Sequence, residues 1–473
     1  MTHLRRTVLA ILLLAPLALG QATAPAPTQP AEDMLIADFE AGRAVSLDAS
    51  NGDAQFGPGD APQGKNFLKL TPRTPEAGKA YVRLALPDGA QLFAHDRLTA
   101  QLRVPAQPAV QQQPVKLRWL VLDAERHPIF QRQFTIEPGE RWVKLESPLR
   151  TWLWDTRRIA DADEVKWLVL RIDSPDVSRV DLDDVRLEGR ADVEADAAWL
   201  LDLAFGAGQP RRHVGADGLM VATEAVDAFA DEDLKRLLDD MKRTRAFLRR
   251  AFGDAVRPTD DIPRPACLLI FNDADRRAAF LMRLGDAWGA TIRTSTSQGF
   301  TVQDIATATY DRARGLRRPV YLHESVHAVV ARELRLLTGN PSHSPVQEGI
   351  ANYVQLCVHP ESIDRGAFAR AFAQPIDPSG DGFFIPLEKL FATRATTKQY
   401  AQLASVIGYL VEKDQPLLRD LCKGLADGAT AAEVLARRGP TWAELQEKWL
   451  TWGRERYRSA GNGVVFEPPP EFK

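Results

Sequence analysis

The stretch "YLHESVHAVV", residues 321–330, decides how the second half of this chain can fold. Two histidines, His323 and His327, stand four positions apart, and Glu324 directly follows the first of them. Residues four apart in an α-helix lie on one face, one turn above the other. The spacing therefore predicts a helix that presents two imidazoles to one metal ion. The competing interpretation is a helix whose two histidines pack or hydrogen-bond elsewhere.

The residue types in this stretch fit the chemistry of zinc. Neutral imidazole is a good zinc ligand, and zinc lowers the pKa of a bound water toward about 7. Glu324 is placed to take the proton of that water as a general base. A site with two histidines needs a third protein ligand and an open fourth position. The sequence offers Glu348, which follows His327 by twenty-one residues in the segment "SPVQEGIANYVQ".

The combination "HESVH…QEGIANY" resembles the gluzincin branch of zinc metallopeptidases, which includes thermolysin. It is most similar to the peptidase MA-like families, in which HExxH is followed after about twenty residues by EGxAxY. Glu348, Gly349, Ala351 and Tyr353 occupy the matching positions. The resemblance implies that Glu348 is the third zinc ligand, on a helix antiparallel to the first. It covers roughly residues 215–457, and it departs from the family at Pro345, where a Trp is usual.

Further site residues follow from the same resemblance. An acid one turn after the ligand glutamate orients the first histidine in related enzymes, and Asn352 stands at that position here. Its side-chain oxygen can accept an imidazole N–H, although a plain surface role is equally compatible with the sequence. Zinc hydrolysis also needs a group that stabilises the oxyanion. Tyr400 and His343 are candidates for that role, against the alternative that both are structural.

The first half of the chain has a different texture, that of a β-sandwich. Short stretches from residue 34 to about 190 mostly alternate apolar and polar residues, with Gly, Pro, Asp and Asn between them. Trp119 and Trp167 lie inside apolar strands and are predicted to be core residues. The opening "LIADFE" and the closing "VDLDDVRL" resemble the jelly-roll modules attached to many secreted carbohydrate-active proteins. That resemblance implies first and last strands lying together, and it makes three acidic residues candidate ligands of a structural calcium, with solvated acids as the alternative: Asp38, Glu40 and Asp183.

The N-terminus reads as an export signal. Arg5 and Arg6 precede an apolar run from Val8 to Leu19 and then small residues, which is typical of a secretory signal peptide over residues 1–24. We expect a flexible linker at 25–33, the sandwich at 34–190, an α+β and mostly helical domain at 191–457, and a tail at 458–473. Export places the protein in the periplasm or outside the cell. No later segment reads as a transmembrane helix.

The composition argues against some kinds of partner and of cysteine site. The formal net charge is −3, so no basic surplus suggests a nucleic-acid partner. The three cysteines lie far apart and are expected to be small buried residues rather than disulfides or zinc ligands.

Three hypotheses follow. The first is an exported zinc peptidase that acts on peptides or proteins and binds one zinc per chain, with the sandwich as an accessory module that can bind polysaccharide. The second is a non-catalytic secreted protein that binds a glycan or a partner. A zinc hydrolase acting on another kind of bond is a third interpretation.

Overall fold

The structure is a computed structural model, and it describes most of the chain in segments. These are residues 33–40, 47–73, 80–87, 90, 92–105, 113–149, 153–154, 165–175, 177–190, 193–256, 265–288, 290–292, 297–315, 318–362, 368, 371–379, 382, 384–458 and 469–473. The predicted signal peptide and almost all of the predicted linker lie outside these residues. So does most of the predicted tail.

The first half is a sandwich of two six-stranded antiparallel sheets. One sheet has the order β3-β4-β12-β6-β9, with β1 also paired to β12. Its strands are β1 Met34–Ala37, β3 Gly52–Pro58, β4 Asn66–Pro72, β6 His95–Arg103, β9 Val143–Pro148 and β12 Val180–Arg190. The other sheet has the order β10-β8-β7-β11-β5-β2. Its strands are β2 Leu47–Ser50, β5 Tyr81–Ala85, β7 Val115–Leu122, β8 Pro128–Ile136, β10 Leu153–Trp154 and β11 Trp167–Ile172.

The register of the strands tests two sequence predictions about the sandwich. The first and last strands, β1 and β12, do lie together as an antiparallel pair, as the resemblance implied. Trp119 pairs with Leu170 and is fully buried in the core between the sheets. Trp167 instead pairs with Leu122, an odd number of residues from Leu170, so it points to the opposite face. The prediction of Trp167 as a core residue is therefore wrong: it lies half-buried on the outer face of its sheet.

The second half is an α+β unit with a five-stranded sheet and ten helices among the described residues. The sheet has the order β13-β14-β15-β17-β16, in which β14, β15 and β17 run parallel and the outer strands form antiparallel hairpins. Its strands are β13 Arg212–Ala216, β14 Leu219–Thr223, β15 Ala266–Phe271, β16 Gly299–Val302 and β17 Ile305–Thr309. The helices are α1 Val193–Phe205, α2 Asp231–Phe252, α3 Ala274–Trp288, α4 Pro319–Leu334, α5 Ser344–Val358, α6 Leu387–Ala392, α7 Tyr400–Lys413, α8 Gln415–Ala426, α9 Ala431–Arg438 and α10 Trp442–Arg458.

Helix α4 is the buried spine of this unit. Every residue from Tyr321 to Leu334 is buried, in contact with the sheet, α2 and α5. Pro319 stands at the helix start, where its fixed φ suits the first turn and its missing N–H costs no hydrogen bond. Arg335 ends the helix in the left-handed conformation at φ 56°. A short loop then leads into α5.

The close packing of α5 on α7 explains one glycine of the motif. A Cβ at Gly349 would lie 2.6 Å from Cγ1 of Ile407 and 3.2 Å from the carbonyl oxygen of Leu403. The two helix backbones can therefore approach only because this position has no side chain. The neighbouring residue Glu348 is held at the α4 side of the interface by the same packing.

Three further observations concern the whole chain. Cys267, Cys357 and Cys422 are free and buried, as predicted. The last residues do not all extend away from the fold, because Phe472 packs on Phe247 and Glu471 pairs with Arg250. None of the helices in the described part of the chain combines the length and apolarity that crossing a membrane requires.

Candidate metal centre

Helices α4 and α5 bring three candidate ligand atoms together. Nε2 of His323 lies 3.2 Å from Nε2 of His327. Oε2 of Glu348 lies 3.4 Å and 3.6 Å from those two nitrogens. Ligand atoms held 2.0–2.1 Å from a tetrahedral zinc lie about 3.3 Å from one another. The three separations therefore have the size of the edges of a tetrahedral zinc site.

The charges and unsatisfied atoms of this cluster also fit a cation. Oε2 of Glu348 is buried and has no hydrogen-bond partner. Burial acts to lower the pKa of His327, but the Glu348 carboxylate outweighs it and raises that pKa to about 9. Burial acts to raise the pKa of Glu348, and the two histidines hold it well below its usual range. The cluster thus keeps a buried carboxylate ionised and attracts a positive charge, which a metal ion would supply.

Two glutamines orient the histidines. Oε1 of Gln347 lies 2.8 Å from Nδ1 of His327, and the Gln347 amide donates to the carbonyl of Leu336. Because that amide is committed as a donor, its oxygen faces the imidazole and accepts the proton of Nδ1. A metal ion that displaces the second ring proton of His327 would then meet the Nε2 lone pair, because Nδ1 keeps the proton that Gln347 accepts. Oε1 of Gln355 lies 3.1 Å from Nδ1 of His323 and does the same for the first histidine.

Asn352 does not have the orienting role that the resemblance gave it. Its side-chain amide donates to the backbone carbonyl of Glu348, at 2.8 Å, one turn back along α5. The orienting group is Gln355, two turns after Glu348 on the same helical face. Helical periodicity could have found Gln355, since positions 348, 352 and 355 share one stripe.

Glu324 lies in the same cleft as the three ligand atoms. Its Oε2 accepts a hydrogen bond of 2.7 Å from the hydroxyl of Thr301, on strand β16. A Cβ at Gly299 would lie 2.5 Å from Cγ of Glu324, so the glycine leaves room for this carboxylate. Thr301 was missed by sequence reasoning, because nothing in the sequence pairs β16 with helix α4.

The two oxyanion candidates have different surroundings. The Tyr400 ring stacks on His323 at 5.8 Å between centroids, and the residue lines the cleft. Burial raises the pKa of Tyr400, and the Glu348 carboxylate, to which its hydroxyl hydrogen-bonds, raises it further. His343 is not part of the cleft lining. Its Nδ1 accepts from the Leu337 N–H at 2.8 Å and its Nε2 donates to the Leu425 carbonyl at 2.9 Å, so His343 joins a loop to α8.

The cleft has two halves that meet at the candidate centre. One half, the metal half, has a volume of about 410 Å³ and contains the three ligand side chains, Glu324, Arg394 and Tyr400. The other, the basic half, has a volume of about 590 Å³ and contains Arg314, Arg318 and Lys398. His323, Glu324 and Tyr400 line both halves. A chain-like molecule lying along the cleft would pass the candidate centre.

The acidic residues of the sandwich hold a turn. Oε1 of Glu40 accepts from the backbone N–H groups of Lys65 and Asn66, and Asp183 accepts from those of Gln63 and Asp184. Burial raises the pKa of Asp183 to about 6.

Asp38 accepts from the Glu40 N–H at 3.3 Å. Within the described residues, the ligand atoms of three His, Cys, Asp or Glu side chains lie within 4.8 Å of one another only in the cluster of His323, His327 and Glu348. The predicted calcium stays a prediction.

Comparison with known proteins gives solved structures only. No protein-family model matches the chain, and no curated protein matches it. A family 11 carbohydrate-binding module from a cellulase of Clostridium thermocellum is similar at 13% identity and a TM-score of 0.26, over 33% of this chain and 94% of that one. The CBM22-1 xylan-binding domain of Paenibacillus barcinonensis Xyn10C is similar at 18% identity and a TM-score of 0.25, over 34% of this chain and 96% of that one. At these TM-scores the likeness carries no argument about this chain.

Proposed function

We propose that this protein is an exported zinc-dependent hydrolase that cleaves peptide bonds. The observation that carries the proposal is the set of separations of 3.2 Å, 3.4 Å and 3.6 Å among the ligand atoms of His323, His327 and Glu348. These residues would hold the zinc. When bound, zinc polarises a carbonyl group and lowers the pKa of water toward about 7.

The side chains around the centre have distinct tasks in this proposal. Glu324 takes a proton from the attacking water and passes it to the leaving amine, and Thr301 fixes the direction of its carboxylate. With Glu348 bound to zinc, the Tyr400 hydroxyl would be released from that carboxylate and could donate to the negative charge that develops on the substrate carbonyl oxygen. Gln347 and Gln355 keep both imidazoles in the tautomer that binds a metal through Nε2.

A peptide substrate is favoured by the position of strand β16. It is the last strand in the order of its sheet, and its residues Gly299 and Thr301 line the cleft beside Glu324. An extended peptide can bind to an exposed strand edge through main-chain hydrogen bonds. A backbone bound there would lie next to the general base.

The substitution Glu324→Gln tests the proposal. It removes the proton acceptor and keeps the three ligands, so we expect unchanged zinc content and a loss of hydrolysis of about 10²- to 10⁴-fold. Hydrolysis would be followed by mass spectrometry of a mixture of peptides. Glu447→Gln is the matched control, because Glu447 is exposed on α10 and lies outside the cleft. Turnover of Glu324→Gln at the wild-type rate would refute the assignment of the base.

A glycan-binding sandwich is the second candidate function, alone or beside catalysis. Alternation along β5, β7, β8 and β11 puts a set of polar and aromatic side chains on one outer face. They are Tyr81, Arg83, Arg118, Gln131, Gln133, Trp167 and Arg171. Arg118 donates to Asp173, Gln131 and Gln133, so the polar groups of this face are held in fixed directions.

Aromatic rings beside fixed hydrogen-bonding groups are suited to sugar rings, so a panel of neutral polysaccharides is the ligand set to try. Affinity electrophoresis of the whole protein in polysaccharide gels tests this. Retardation that is lost in Trp167→Ala supports the candidate, and equal migration with and without polysaccharide rejects it.

A further inference from the structure

Positively charged side chains outnumber carboxylates in the lining of the basic half of the cleft. Arg314, Arg318 and Lys398 line it, and Glu324 is the only carboxylate among the described residues that line it. Arg314 is highly exposed, and its Nε lies 3.9 Å from Oδ2 of Asp311. An exposed ion pair at this distance is weak. Lys398 is exposed and has no ion-pair partner among the described residues. The chain as a whole has a net charge of −3, so this concentration of cations is local.

Arg318 is the unusual member of this group because it is buried. It is 4% exposed, at the residue that precedes α4. Its Nη1 donates to the carbonyl and the hydroxyl of Thr309, and its Nε has no hydrogen-bond partner. No carboxylate of the described residues lies within 4.0 Å of its guanidinium. Burying a charged group without a counter-charge is costly, and such groups concentrate at functional sites.

The surroundings of Arg318 reinforce its charge rather than cancel it. Burial lowers the pKa of Arg277, the Glu324 carboxylate acts to raise it, and repulsion by Arg318 acts to lower it further. Arg277 and Arg318 are therefore two buried guanidinium groups that repel each other, and the Glu324 carboxylate accepts a hydrogen bond from Thr301. The N-terminal end of the sixteen-residue helix α4, at Pro319 and Val320, adds the positive end of its dipole to the same half.

We propose that the basic half is a subsite for a carboxylate of the substrate, held by Arg318 with Lys398 at the rim. This inference rests on the proposed function, because it names the class of peptide that the same centre would act on. Arg318 precedes His323 by five residues, which is about 7.5 Å along the helix. An extended peptide advances about 3.3–3.6 Å per residue.

The carboxylate can come from two sources with the same chemistry. An aspartate or glutamate side chain would make the protein selective for acidic sequences, and a C-terminal carboxylate would make it selective for chain ends. Three blocked or free pentapeptides distinguish these sources. They are an acetylated and amidated alanine peptide with one central glutamate, the same peptide with glutamine, and an acetylated alanine peptide with a free C-terminus.

Binding is measured by calorimetry on the full-length zinc-loaded protein carrying Glu324→Gln, so that no peptide is consumed. We expect one carboxylate peptide to bind on the order of tenfold to a hundredfold more tightly than the glutamine peptide, the range for hydrogen bonds to charged groups. The tighter of the two identifies the source. Adding Arg318→Gln should remove that preference, and Lys398→Gln should reduce it by a few-fold.

Arg312→Gln removes an exposed arginine of the same segment that is outside the cleft lining, and it should leave the preference unchanged. Equal or undetectable binding of all three peptides overturns the proposal. So does a preference that survives Arg318→Gln, since the metal alone would then bind the carboxylate. If Arg318→Gln does not fold, an unchanged preference in Lys398→Gln overturns it. A preference that depends on Arg318 in a protein without hydrolytic activity supports the subsite and counts against the proposed function alone.

Discussion

Replacing Gln347 by leucine tests how the second histidine is held. Gln347 is 1% exposed and connects Nδ1 of His327 to the carbonyl of Leu336. Leucine has a similar volume but can neither accept from the imidazole nor donate to the carbonyl. Water cannot replace the lost partner at such a buried position, so the N–H of His327 is left unsatisfied, at a cost of about 1–3 kcal/mol. Loss of an orienting partner of a metal-bound histidine lowers metal affinity by about 10- to 100-fold, which corresponds to a similar free energy.

Two matched variants make the comparison specific. Gln355→Leu removes the corresponding bond to His323, but Gln355 is only half-buried and its bond is longer, at 3.1 Å, so water can take its place. We expect a loss of affinity of less than about tenfold. Asn352→Ala removes a bond to the backbone of Glu348 and touches neither imidazole. It should change zinc affinity by less than about twofold and lower stability by about 1 kcal/mol.

The assay is a competition titration of each protein with a chromogenic zinc chelator at neutral pH, with the unfolding free energy measured beside it. The expected order of affinity loss is Gln347→Leu, then Gln355→Leu, then Asn352→Ala. An Asn352→Ala variant weaker than the other two would show that the orienting group is the one expected from related enzymes. Unchanged affinity in Gln347→Leu would refute the hydrogen-bond argument for His327.

Three further substitutions test the contacts that hold the loop and helices around the site. Burial lowers the pKa of His343 from its ordinary 6.5 to about 4, so the unfolded chain binds more protons than the folded chain between these pH values. The unfolding free energy should therefore fall by about 3 kcal/mol for this group as the pH falls from 6.5 to 4. In metal-free protein, His343→Gln should flatten that part of the pH profile of the unfolding free energy, and an equal slope in both proteins would contradict the assignment. Leu337 packs in the core of the sandwich and also lines the cleft. Leu337→Ala should lower the free energy of unfolding by about 2–5 kcal/mol and weaken zinc binding. Full zinc affinity would mean that the loop is positioned without the sandwich. Gly349→Ala should push α5 from α7 and cost about 1–3 kcal/mol, as measured by chemical denaturation, whereas a neutral result would mean that Ile407 yields freely.

The candidate centre was predictable from the sequence because its signals are local or have a fixed spacing. A spacing of four residues on a helix fixes the relation between His323 and His327, and the structure shows their Nε2 atoms 3.2 Å apart. Contacts between distant segments carry no comparable pattern. Thr301 reaches Glu324 from a strand twenty-three residues earlier, and His343 reaches α8 across eighty-two residues. Neither partner can be read from the residues on either side.

In the sandwich, too, local patterns were predictable and contacts between distant segments were not. The apolar cores of β7 and β11 mark these strands in the sequence. Strand β8 carries a weaker signal, since four consecutive residues from Gln131 to Phe134 are only half-buried and the expected alternation is absent. Alternation also gives the two faces of a strand without saying which face is the core. For Trp167 that choice depends on its pairing with Leu122, a long-range register that sequence periodicity does not contain.

The central claim is that His323, His327 and Glu348 form a zinc site, and the metal content of the purified protein tests it most directly. Mass spectrometry of the metal would be applied to the wild-type protein and to His323→Ala after equilibration with zinc at neutral pH and removal of the excess. We predict about one zinc per wild-type chain and nearly none in the variant, because two protein ligands bind zinc much more weakly than three. A wild-type protein without zinc, or a variant that keeps it, would contradict the account.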